Sequence, residues 1–255
     1  MTQPEAPDQE VVADYDVRSP ASRTLLTVVG TILAVAIIAG LVLLASILKR
    51  GTTVSASVIE LGDSAVIKID AGASDLRIVD GEPGVIRVRA SITSGLRKTD
   101  FEIGRRGDQI KIVADCQTWL NPGCGVDTTL ELPKGSPVEI RTSTGDVVVR
   151  DVDEGVLTVI SGSGDISGSG LGVDEFAAQT DEGDISASFA KQPFAFKATS
   201  DSGDVTARMA DGKRTYAVTA TSRSGDVSSD VESDEDGVGF IRATTDSGDI
   251  TLTMK

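Results

Sequence analysis

From Val138 to Leu252 apolar and polar residues alternate with a period of two, and the alternation changes phase at each Gly-Asp. The six glycines are Gly145, Gly164, Gly183, Gly203, Gly225 and Gly248, followed by Asp146, Asp165, Asp184, Asp204, Asp226 and Asp249. Seven residues upstream of each glycine stand Val138, Leu157, Phe176, Phe196, Val218 and Ile241; five upstream, Ile140, Val159, Ala178, Ala198, Ala220 and Ala243. Three upstream stand Thr142, Ser161, Thr180, Ser200, Ser222 and Thr245. Two downstream the column is Val147, Ile166, Ile185, Val205, Val227 and Ile250; four downstream it is Val149, Gly168, Ala187, Ala207, Ser229 and Leu252.

Alternation of this kind belongs to strands with one face buried. The inward positions are odd before the glycine and even after it, so Gly-Asp must shift the register by one residue. Glycine tolerates the left-handed backbone of a bulge or corner, and an Asp carboxylate can accept from nearby backbone N–H groups. The corners recur every 19 to 23 residues, a spacing at which stacked repeats are the first expectation. The fold predicted is all-β, a β-solenoid of Gly-Asp repeats whose neighbours supply each other's interior at a spacing of about 4.8 Å.

The same columns start earlier. In AVIKIDAGASDLRI, Ser74 takes the glycine place and Asp75 keeps the acid, with Ile67, Ile69 and Ala71 upstream and Leu76 and Ile78 downstream. Seven corners would then span on the order of 30 Å. Between this repeat and the next, Ile86-Val88, Phe101-Ile103, Ile110-Ile112 and Val126-Thr128-Leu130-Leu132 keep the alternation and read as wider repeats or hairpins of the same stack.

A different pattern precedes all this. Thr24 to Leu48 holds no charged residue, and a bilayer core needs about 20 apolar residues as a helix. A cleaved leader would carry a shorter apolar region behind a basic start, whereas an acidic tail of 23 residues comes first here. The expected organisation is a disordered acidic tail at 1–23, a transmembrane helix at 24–48, a linker at 49–56 and the β domain at 57–255. Arg18 and Arg23 before the helix balance Lys49 and Arg50 after it, so charge alone does not orient it.

Composition narrows the chemistry. Histidine is absent and aromatics make up 4% of the chain, which removes the commonest general base and leaves the core to Val, Ile, Leu and Ala. A net charge of −15 argues against nucleic acid as a partner. The two cysteines, Cys116 and Cys124, flank Asn121-Pro122-Gly123, a strong turn signal. Such a pair suits a disulfide in an oxidising compartment, with two buried thiols as the alternative. The disulfide reading puts the β domain outside the cytoplasm.

The corner aspartates are the main candidate site, a line of like charges thickened by Asp181, Asp201 and Asp246. Unit charges about 4.8 Å apart repel by about 0.9 kcal/mol in water. Backbone capping with solvent screening is the favoured relief. Calcium is the alternative, with Asp181, Asp184, Asp201 and Asp204 as its candidate ligands, and no other cofactor is expected. The inward Ser/Thr column lacks a base and reads as hydrogen bonding along the stack. Arg105-Arg106-Gly107-Asp108 contains Arg-Gly-Asp between two alternating runs and reads as a hairpin turn. The run SGSGDISGSGLG lacks the lysine and the helix of a phosphate loop.

LELPKGSPVEIRTSTGDVVV, followed by the GSGDI and DSGDV repeats, resembles the bacterial adhesin-like domains of the DUF4097 type over roughly residues 55 to 255. The resemblance rests on Leu132 to Gly135 and on the serial Gly-Asp corners. It implies a β-helix-like envelope protein behind a membrane anchor, with no catalytic residues. The expectation is therefore a non-enzymatic, single-pass, extracytoplasmic interaction or scaffold domain whose envelope or surface partner is not named by the sequence. The alternative is a cytoplasmic-facing, bactofilin-like scaffold that polymerises through an uncapped C-terminal repeat.

Overall fold

The structure, a computed structural model, describes residues 20–60, 66–96, 99–107, 109–115, 124–153 and 155–255. The chain divides into a unit that ends at Ala45 and a unit of residues Ser46–Lys255. Helix α1 (Pro20–Leu48) dominates the first. Within it Leu26–Leu48, 23 residues, is long and apolar enough to cross a membrane, as an anchor or as a signal sequence. Large apolar side chains from Leu26 to Leu48 stand exposed, so the helix has no protein core of its own to fill.

The second unit is almost wholly β. Its first part comprises β1 (Gly51–Glu60), β2 (Ile67–Asp70), β3 (Asp75–Gly81), β4 (Val85–Ser94), β5 (Asp100–Arg106), β6 (Gln109–Asp115) and β7 (Gly125–Pro133). The repeats follow as strand pairs: β8 (Val138–Thr144) with β9 (Val147–Arg150), β10 (Val156–Ser163) with β11 (Ile166–Leu171), and β12 (Glu175–Glu182) with β13 (Ile185–Phe189). Then come β14 (Ala195–Ser202) with β15 (Val205–Met209), β16 (Tyr216–Ser224) with β17 (Val227–Ser229), and β18 (Gly239–Ser247) with β19 (Ile250–Met254).

Each repeat gives one strand to each of two mixed sheets that do not close on one another. The ten-stranded sheet runs β1-β4-β7-β3-β9-β11-β13-β15-β19-β17, and the nine-stranded sheet runs β16-β18-β14-β12-β10-β8-β2-β6-β5. Pairing among the repeats is parallel and keeps equivalent residues level: Val138 beside Leu157, Leu157 beside Phe176, Phe176 beside Phe196, Phe196 beside Ile241, Ile241 beside Val218. The repeat with Ser74 in the glycine place holds the expected register, Ile67 beside Val138 and Leu76 beside Val147. Inward columns from both sheets form one core, in which Phe176, Phe189 and Phe196 meet as one stacked and two edge-on pairs. The intervening section extends both sheets with the antiparallel pairs β1–β4, β4–β7 and β5–β6.

Two expectations are corrected. Residues 51–56 are not a linker: they form the first half of β1, paired along β4 from Gly51 beside Ser94 onward. The C-terminal repeat is not the last in space. β18 lies between β14 and β16, and β19 between β15 and β17, so the sixth repeat sits inside and the fifth forms the end. Burial gives the reason. The sixth repeat offers Ile241, Ala243, Ile250 and Leu252, all at most 1% exposed, whereas the fifth offers Val218, Ala220, Val227 and Ser229, with Val227 47% exposed. The more apolar repeat gains more from two neighbours than from one. β18–β19 therefore has no open edge through which a second copy would pair.

Candidate functional site

The Gly-Asp corners lie level with one another where each chain segment passes from the nine-stranded to the ten-stranded sheet. At Gly203 φ is +152°, and at Gly164 it is +120°. A Cβ at Gly203 would overlap the carbonyl oxygen of Gly183, and one at Gly164 that of Gly145. Glycine is demanded twice, by a backbone conformation that L side chains rarely adopt and by the neighbouring peptide's approach.

The aspartates cap one another's backbone. The Asp146 N–H donates to Oδ1 of Asp75 at 3.0 Å, Asp165 N–H to Asp146 at 3.0 Å, and Asp184 N–H to Asp165 at 2.8 Å. The ladder continues from Asp204 N–H to Asp184 at 2.8 Å, Asp249 N–H to Asp204 at 2.7 Å and Asp226 N–H to Asp249 at 2.8 Å. Each carboxylate thus caps the next repeat, and the order of the ladder follows the spatial order of the repeats rather than their order in sequence. Asp226 ends the row. Arg223 Nη2 meets Asp246 at 3.3 Å beside it, which relieves the row locally.

The inward hydroxyls make the second stitch. Thr180, Ser200 and Thr245 donate to the carbonyls of Gly164, Gly183 and Gly203 at 3.3, 3.0 and 2.9 Å, and Ser222 donates to that of Gly248 at 2.7 Å. Thr142 donates to Gly72 at 2.8 Å. The hydrogen bonding along the stack thus runs from these hydroxyls to backbone carbonyls of the adjacent repeat. Thr142 and Thr180 also reach Thr144 O and Glu182 O in their own strands, at 2.8 and 3.0 Å, as Ser161 reaches Ser163 O at 3.1 Å. Thr128, 1% exposed, has an Oγ1 that finds no hydrogen-bond partner among the described residues.

Oδ1 of Asp184 and of Asp204 is taken by the ladder, while Asp181 and Asp201 stand exposed. Among the described residues no three His, Cys, Asp or Glu side chains gather as a metal would require. In the Arg-Gly-Asp stretch, Arg106 lies beside Gln109 across the β5–β6 hairpin and Gly107 has φ +61°, as the turn reading requires; Asp108 lies outside the described residues. The expected Cys116–Cys124 pairing also lies outside them, because Cys116 does.

A feature that the columns did not reveal closes the far end. The segment between β17 and β18 folds against β16: Asp234 N–H donates to Tyr216 O at 2.8 Å, Val218 N–H to Ser233 Oγ at 3.1 Å, and Tyr216 and Ser233 form a parallel bridge. Val231 from this segment is buried in the main core. Tyr216 is buried with its hydroxyl donating to Pro193 O at 3.0 Å, and that burial raises its pKa above 10.0 against a smaller opposing effect of Arg214. Asp230, Glu232, Asp234, Glu235 and Asp236 make the segment strongly acidic. The one signal in sequence was spacing. The corners lie 19 or 20 residues apart up to Gly203, then 22 and 23, which leaves chain for a skipped level and a cap.

A family model described as Toastrack DUF4097 matches residues 125–253. A solved structure of a "putative cell adhesion protein" from Clostridium sporogenes is similar over 80% of this chain and 100% of its own, at 10% identity and a TM-score of 0.50. A "putative adhesin" from Bacteroides fragilis covers 80% of this chain and 97% of its own, at 13% identity and a TM-score of 0.43. At such identities the likeness to the first concerns the fold. No curated protein matches the chain.

Proposed function

The chain belongs to the Toastrack DUF4097 family, and on that premise we propose that it is a non-enzymatic, membrane-anchored interaction or scaffold domain displayed on the outer side of a bacterial membrane. The two sheets are read as the faces of a β-solenoid whose repeats are stitched at the Gly-Asp corners. The in-register files and the carboxylate ladder support that reading. The observation that carries the function is the junction: an uncharged 23-residue apolar segment ends at Leu48, and β1 begins at Gly51. On the anchor reading, so short a link leaves little chain between the bilayer and the β domain. The hydroxyl columns support a structural role, since Thr142, Thr180, Ser200 and Thr245 spend their protons on peptide carbonyls.

The bactofilin-like alternative drew on an uncapped final repeat. With β18–β19 inside the sheets and Ser233 and Asp234 bonded to β16, that support is gone. The test is thiol labelling of intact cells with a membrane-impermeant reagent. Cys116 and Cys124 are expected to resist labelling until a reductant is added, then to react from outside. Free thiols reached only after the membrane is opened would place the domain in the cytoplasm. A shortened chain in the soluble fraction would show a cleaved leader in place of an anchor. Pull-down from envelope membranes is the route to the partner.

A further inference from the structure

Four strands form the edges of the two sheets: β1, β17, β16 and β5. Natural sheets protect such edges with charge, brevity, proline or a covering segment, because unpaired N–H and C=O groups recruit other strands. Three of the four edges follow that rule. β5 carries Asp100, Glu102, Arg105 and Arg106; β17 is three residues long between Asp226 and Asp230; β16 is covered at its start by Ser233 and Asp234. β1 does not. It runs ten residues with no charge from Gly51 to Ile59, in a chain where a quarter of the residues are charged. Its face away from the core holds Val54, Ala56 and Val58, with Val54 70% and Val58 62% exposed. Among the described residues, a hydrogen bond from outside β4 reaches its last residue, from Arg105 to the Glu60 carbonyl.

We infer that β1 is a homotypic docking edge, pairing antiparallel with β1 of a second copy about a two-fold axis at Ala56. The segment is self-complementary about that residue. Val54 comes beside Val58 of the second copy, Ser55 beside Ser57 and Thr53 beside Ile59. The exposed valines become cross-strand apolar pairs, and no like charges meet along the segment. A two-fold, isologous contact closes on itself and yields a dimer rather than a filament. The second copy is the favoured occupant because β1 starts three residues after α1 ends. This part of the argument rests on the anchor reading: helices held in one bilayer keep their β1 strands in one layer and raise their effective concentration. The pairing itself is a property of the strand.

Disulfide trapping of the full-length chain in its membranes tests this. Ala56→Cys places two sulfurs across the axis, where facing Cβ atoms lie about 5 Å apart, and oxidation is expected to give a covalent dimer well above the parent chain's background. Ser91→Cys, on β4 beside Val54, would sit about 20 Å from its symmetry mate by strand spacing and rise, and is expected to stay at background. Adding Val58→Lys to Ala56→Cys puts a charge on an exposed site and is expected to return the dimer to background while the melting curve is kept. Trapping at Ala56 no better than at Ser91, or undiminished by Val58→Lys, overturns the proposal. If the chain proves cleaved and soluble, the anchor reading fails, while the same trapping in solution still decides whether β1 pairs.

Discussion

Gly203 concentrates the constraints of a whole repeat: left-handed backbone, a neighbouring carbonyl where a side chain would stand, and a carbonyl of its own that accepts from Thr245. Gly203→Val is expected to cost upwards of about 3 kcal/mol from strain and overlap, and Ser202→Ala, at an exposed position, within about 0.5 kcal/mol. Equal urea midpoints for the two would contradict the corner geometry. One rung down the ladder, Asp184→Ala removes the acceptor of the Asp204 N–H and is expected to cost about 1 kcal/mol. Asp184→Asn keeps an acceptor and lightens the charged row, so it should be the more stable of the two, with the gap to the parent narrowing as salt rises. Tyr216 gives a pH signature. Below pH 10.0 its phenol is protonated in folded and unfolded chains alike. Above that value the unfolded chain loses the proton first, so the folded state loses stability as the pH climbs towards the raised folded pKa. Tyr216→Phe should flatten that alkaline limb in a titration of urea midpoints. Inside the core, Thr128→Val removes a buried hydroxyl that has no partner among the described residues and is expected to raise the melting temperature.

At the scale of elements, the parity of apolar positions carried most of the fold. The register of Ile67 against Val138, or of Phe176 against Phe196, follows from the rule that a one-residue slip would turn a whole column outward. The order of repeats did not follow from it. The same columns would align if the fifth repeat stacked on the fourth, so the choice lies in small differences of burial such as Leu252 against Ser229, and in two longer spacings between corners. The hydroxyl partners were half legible: Ser and Thr stood in the right column, but their acceptors are glycine carbonyls that the corner brings near. Intrachain trapping separates the two orders. Thr199 and Thr244 are neighbours, and Thr221 lies one strand further on beside Thr244. Thr199→Cys with Thr244→Cys should form a disulfide readily, and Thr199→Cys with Thr221→Cys should not. The reverse result would restore sequential stacking.

For the molecule as a whole, edge protection and charge divide the two ends of the sheets. One end is finished with an acidic segment, a buried Val231 and the Ser233 hydroxyl capping β16. The other begins with β1, a long neutral strand. The placement of β18–β19 has a consequence for how such a chain is made. A nascent polypeptide emerges from its amino end, and every repeat up to the fourth can settle on its predecessor as it appears. The fifth cannot reach its final neighbour at once, because that neighbour follows it in the chain. Completion must wait for the sixth repeat to emerge, so vectorial assembly halts one level short until β18–β19 slips into a gap kept open for it or displaces a provisional occupant.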